Sequence, residues 1–128
     1  MLDLVEPFEF NGEKLGLLFS FSALAALEKN HGLPVLDAWD KITRLSVVAE
    51  QAAMLEGLEA HRREVEQRAV KWTLRDAETI VMGLGPRACS KLLTDAMART
   101  LLKPEGAAGD AGKAVDPVSV ESTGTPPK

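Results

Sequence analysis

Tyrosine is absent from this chain, cysteine occurs once and histidine twice, and each scarcity removes a class of function. The single thiol, Cys89, has no partner for an intramolecular disulfide. Neither His31 nor His61 has a second histidine or cysteine at metal-ligand spacing, so no metal site is expected. Without tyrosine the chain lacks one of the hydroxyls that orient sugars and cofactors in pockets, and no cofactor is expected. Long apolar runs are missing too: none nears the roughly 18 residues that cross a bilayer, which argues against a membrane span. Positive charge is in deficit, with 15 Lys and Arg against 19 Asp and Glu for a net charge of −4. Nucleic-acid binders concentrate basic side chains that displace counterions from phosphates. Here the densest basic stretch, His61-Arg62-Arg63, sits among Glu56, Glu59, Glu64 and Glu66 and reads as a solvated helix face. Neither nucleic acid nor membrane is therefore expected as a partner. The start, Met1-Leu2-Asp3-Leu4-Val5-Glu6, does not resemble a basic segment followed by an apolar one, and a cytoplasmic location is expected.

What is present suits one folded domain. The chain has 128 residues, 45% of them hydrophobic and 27% charged, enough for a single core with a solvated surface. Composition changes sharply after Lys103. Residues 104–128 contain prolines and glycines but no leucine, isoleucine or aromatic residue. Such a segment buries too little apolar surface to offset the entropy of ordering it, so a domain over 1–103 and a disordered Pro/Gly-rich tail over 104–128 are expected.

Along the domain the pattern predicts a mainly α fold, an N-terminal β-hairpin followed by about five short helices in a small bundle. Phe8-Glu9-Phe10 and the run from Leu15 to Phe21 flank Asn11-Gly12, a pair that readily takes the positive φ values of a type I′ turn, with Glu13 and Lys14 able to lengthen the loop. Alternation puts Leu17, Phe19 and Phe21 on one face of the second strand. Ser22 is the expected N-cap of the first helix, which ends at Gly32. Pro34 starts a second helix with Leu36, Trp39 and Ile42 toward the core, ending near Arg44. Ser46 opens a third helix with a stripe of Val48, Ala52, Leu55 and Leu58. It either continues to about Val70, supported by Glu59/Arg63, Arg62/Glu66 and Glu64/Arg68 pairs at i,i+4, or breaks after Leu58 because of Gly57. Thr73-Leu74-Arg75-Asp76 resembles a capping box for a helix carrying Leu74, Ala77, Ile80 and Val81. Gly83 and Gly85 end it, and Pro86 starts a last helix with Cys89, Leu92, Leu93, Ala96, Met97, Thr100 and Leu101 on one stripe.

Motifs for chemistry are sparse. Gly83-Leu84-Gly85-Pro86 fits neither of the glycine-rich phosphate loops, and Pro86 removes a backbone donor an anion would need. Cys89 shares a stripe with leucines and reads as a buried small hydrophobe. The carboxylates are expected on solvated faces. No catalytic, cofactor-binding or metal residue is assigned, and no enzyme activity is expected. Residues 24–43 have the helix, glycine, helix order of a DNA-binding helix-turn-helix, but Asp37 and Asp40 on the second helix would repel phosphates.

Read in order, these elements resemble the tail assembly chaperones of long-tailed phages, in particular the small family of gene transfer agents and related prophages. The strand pair leading into Ser22-Ala23-Leu24-Ala25-Ala26-Leu27-Glu28-Lys29-Asn30-His31-Gly32 looks like that family's opening helix. Leu45-Ser46 with Leu55 and Gly57-Leu58 looks like its middle helix, and Thr73, Ile80, Gly85 and Leu92-Leu93 look like its closing pair. The resemblance spans residues 8–102.

It implies a non-catalytic protein made for virion assembly in the host bacterial cytoplasm and absent from the mature virion. Its partners would be the tape measure protein, which it coats, and the tail tube protein, which it helps assemble, and it would act as several copies of itself. Trp39 and Met97 are the candidate protein-binding residues, because aromatic residues and methionine are enriched where proteins meet. Two alternatives differ in class. A structural tail component, such as a tail tube or minor tail protein, should supply many strands, where the sequence offers two; a small helix-turn-helix regulator should show a basic helix face.

Overall fold

Asn11 and Gly12 adopt φ of 53° and 78° in the computed structural model, which describes residues 2–102. Paired positive φ values are what a two-residue type I′ turn demands. Strand β1 (Val5–Phe10) therefore folds straight back on β2 (Glu13–Leu18), with Phe10 opposite Glu13, Phe8 opposite Leu15 and Val5 opposite Leu18. Glu13 and Lys14 are strand residues and do not lengthen the loop. A short 3-10 turn, Leu2–Leu4, precedes the hairpin. A two-stranded sheet is marginal alone. Here it packs on two of the helices, and Leu15, Leu17, Leu18 and Phe19 are buried.

The second strand is shorter than the alternation predicts. It stops at Leu18, and Ser20 rather than Ser22 caps helix α1 (Phe21–His31), its Oγ accepting the Ala23 N–H at 3.4 Å. Both serine hydroxyls donate to the Glu64 carboxylate, at 2.8 and 2.7 Å, which fixes the entry to the helix. Phe19 stays in the core while Phe21, now in the first helical turn, is 84% exposed, contrary to its expected place on the buried strand face.

Gly32, at φ 65°, ends α1, its N–H bonded to the Glu28 carbonyl at 3.0 Å. Helix α2 (Val35–Thr43) follows Pro34. Its inward side is Val35, Ala38, Trp39 and Ile42, a spacing of three, four and seven. Leu36, expected inside, is exposed. The spacing Leu36, Trp39, Ile42 advances by three each time, and such a line drifts about 60° per step around a helix of 3.6 residues per turn.

Helix α3 (Val47–His61) starts at the predicted cap, Ser46, and crosses Gly57 unbroken. It then widens into a π-helical turn, Arg62–Glu66, and stops at Gln67 with φ 54°, so it neither reaches Val70 nor breaks after Leu58. The wider turn changes which residues align. In place of the expected i,i+4 pairs, Arg62 closes on Glu59 at 2.9 Å and reaches the Arg68 carbonyl at 2.6 Å. This helix is the centre of the domain, packed by α1, α2, β2 and both later helices, with Ala49, Ala52, Ala53, Met54, Leu58 and Ala60 buried. Val48, expected in its stripe, faces outward.

Helix α4 (Leu74–Leu84) carries the predicted capping box: Thr73 Oγ1 accepts the Asp76 N–H at 3.1 Å and Asp76 Oδ2 accepts the Thr73 N–H at 2.9 Å. Ala77, Ile80 and Val81 are buried as expected, but Leu74 is half out of the fold. Gly85, at φ 91°, turns the chain and Pro86 opens α5 (Pro86–Leu101), which buries Cys89, Leu93, Ala96 and Met97. Ser90 Oγ donates to the Ile42 carbonyl at 2.8 Å and Thr100 Oγ1 to the Phe19 carbonyl at 2.8 Å, tying α5 to α2 and to the end of the hairpin. The described architecture is thus mainly α, an antiparallel hairpin followed by five helices. Residues 104–128, read from composition as a disordered tail, lie outside the described residues. Among the described residues no helix is long and apolar enough to cross a membrane.

Candidate functional site

Where the ends of α1 and α2, the first half of α3 and the start of α4 meet, they leave an open groove of about 440 Å³. Each wall follows from a local sequence decision. Gly32 turns the chain so that Leu33 forms the floor beside Ala49 and Ala52. Ser46 and Thr73 cap two helices whose first turns then face the same space. Val48 is the second residue of α3 and Leu74 the first of α4. Residues so close to a helix start project beyond the packed layer, and these two remain 74% and 52% exposed. Lys41 supplies the rim with a cation that has no ion-pair partner among the described residues, whereas His31 is held by Glu56 at 2.9 Å. No carboxylate lines the groove. Geometrically this is an open trough of mixed polar and apolar lining with one free positive charge, suited to an extended or helical segment rather than to a buried small molecule.

Beside it, α3 carries polar groups where the periodicity places only solvated carboxylates. Glu50 is fully buried and neither of its carboxylate oxygens has a hydrogen-bond partner. Burial pushes its carboxyl up to about 7, and the neighbouring Cys89 thiol, a weak donor, offsets that only in part. The same burial, then the charge of the neighbouring Glu50, push Cys89 up to about 12, so its thiolate is scarce at neutral pH. Glu56, also buried, bonds His31 and, at 3.5 Å, Asn30. Burial would raise the Glu59 carboxyl, but hydrogen bonds from Arg62 and the Trp72 N–H, with the charges of Arg62 and Arg63, outweigh it and hold the group below the usual carboxylate range. The contacts of Glu56 and Glu59 fasten α3 to α1 and to the segment before α4. Among the described residues, no three His, Cys, Asp or Glu side chains are placed to hold a metal ion.

The two residues singled out for protein binding are not in the groove. Met97 is fully buried on α5, which corrects its assignment to an exposed set: it lies one turn from Leu93 on the face turned inward, and a partner cannot reach it without opening the core. Trp39 is half-buried against the core on α2. Val48 and Leu74, which do line the groove, were assigned to core stripes by spacing. The signal available for them was their position directly after predicted N-caps. No protein-family model, curated protein or solved structure matches this chain.

Proposed function

We propose that this protein is a phage tail assembly chaperone of the gene transfer agent and prophage type, which binds the tape measure protein and assists tail tube assembly in the host cytoplasm without catalysis and without staying in the virion. The observation that carries the reading is the open groove bordered by the exposed aliphatic side chains of Val48 and Leu74. Two well-exposed aliphatic side chains at the edge of one trough cost solubility and are retained where a partner covers them. A helix laid into such a trough contributes apolar side chains at i, i+3, i+4 and i+7, which is how a long apolar helical protein would be kept from aggregating. The net charge of −4 adds solubility to the complex. The order of hairpin, alanine-rich helix and closing helix pair supports the same family. A tail tube subunit would need many strands, and the described residues supply one two-stranded sheet.

Co-expression tests this directly. The tape measure protein of the same phage or prophage, insoluble when expressed alone, should move largely into the soluble fraction with this chain and co-purify with it at low salt. Equal insolubility with and without the chain, and no co-purification, overturns the proposal.

A further inference from the structure

Of the grooves and polar clusters in the molecule, the trough between α1, α2, α3 and α4 is the one whose chemistry selects an occupant. We infer that it seats an amphipathic partner helix that presents apolar side chains together with a carboxylate, the apolar side chains covering Leu33, Val48 and Leu74 and the carboxylate pairing with Lys41. The inference rests on the chaperone reading for the identity of the partner but not for the chemistry of the seat. Three observations lead to it. The groove walls include exposed aliphatic side chains, Val48 at 74% and Leu74 at 52%. In a chain of net charge −4, the lining holds the Lys41 cation and no acidic residue, so an anion on the occupant finds a partner in the trough. His31 is already engaged by Glu56 at 2.9 Å, which leaves Lys41 as the cation free to pair. The first turn of α3 also opens here, and its positive dipole end adds to the attraction for an anion. A basic partner segment would meet repulsion from Lys41 and find no counter-charge in the lining.

A test that needs no partner protein uses 1-anilinonaphthalene-8-sulfonate, an apolar anion of the stated chemistry, with the full chain. One saturable site is expected. Val48→Asp should weaken it roughly tenfold or more by placing a carboxylate against the anion and breaking the apolar wall. Lys41→Glu should weaken it as well, and Lys41→Arg should keep it. Met82→Asp, at an exposed apolar position outside the groove, should leave it unchanged. All three positions are exposed, and unchanged thermal midpoints confirm that each of the four variants is folded. Dye binding indifferent to Val48→Asp overturns the seat. Loss with Val48→Asp but not with Lys41→Glu overturns the acidic character of the occupant. A second copy of this chain in the groove would show as a two-chain mass in light scattering and as dye binding that falls with protein concentration, and would also overturn the proposal. A seat that passes the dye test while the tape measure protein stays insoluble would refute the chaperone reading and leave the seat standing.

Discussion

Glu50 sits at 0% exposure with both carboxylate oxygens unpaired, in a helix where Ala49, Ala52 and Ala53 are buried with it. A buried charge without a partner is costly, and the molecule answers by holding the carboxyl proton up to about pH 7. The folded-state pKa is above the ordinary carboxyl value of 4.5, so the folded state binds the proton more tightly than the unfolded one. The stability linked to this group is fully present below about pH 4.5 and is lost as pH rises through about 7. The loss across that window is on the order of 3 kcal/mol. Urea midpoints of the wild type should therefore fall between pH 5 and pH 8 more steeply than those of Glu50→Gln, which has no proton to lose; parallel profiles would contradict the burial. Nothing in the local spacing marks this residue. Glutamates 50, 56, 59 and 64 look alike in the sequence, and only the surrounding helices decide that Glu50 is sealed, Glu56 meets His31 and Glu64 meets the two serines of the α1 entry.

At the scale of elements, the features legible in the sequence are those whose cause is local. Asn11-Gly12 closes the hairpin, Gly32 and Gly85 take left-handed φ, Ser46 caps α3 and Thr73 with Asp76 forms a reciprocal cap, because in each case the residue and its partner are a few positions apart. What could not be read is which face an element turns when several partners compete. Helix α3 is apolar on most sides, so any of several stripes fits it, and the one chosen from spacing wrongly included Val48. The entry to α1 is held in the same non-local way, since Glu64, 44 residues from Ser20 in sequence, accepts from both Ser20 and Ser22. Gly57 shows the same division. Sequence alone reads it as a weak point, since glycine costs a helix about 1 kcal/mol relative to alanine. In the fold it is a contact: a Cβ there would stand 2.8 Å from Leu17 Cδ2 and 3.0 Å from Phe19 Cζ. Leu17 and Phe19 are themselves fully buried and have nowhere to swing. Gly57→Ala should accordingly destabilise the domain, by ~1 to 3 kcal/mol of overpacking less the helix gain, as read by chemical denaturation. A stabilised variant would mean that β2 and α3 are farther apart than described.

For the whole molecule, the hairpin and all five helices contribute to one core, and beside it lies a trough with two exposed aliphatic walls and one unpaired lysine. The fold class was readable from hydrophobic periodicity and caps. The proposed binding surface was not, because exposure of Val48 and Leu74 depends on how four separate elements meet at one place, and Trp39 and Met97, which composition favours, belong to the core or its edge. The claim that joins these facts is that a helix of the tape measure protein lies in that trough. Its most direct measurement is titration of the isotope-labelled chain with soluble helical segments of that protein, followed by amide chemical shifts. Saturable shifts at Leu33, Val48, Gln51 and Leu74, absent in Val48→Asp, are the expected result. Shifts confined to the opposite side of the domain, or none for any segment at concentrations up to about 1 mM, would contradict it.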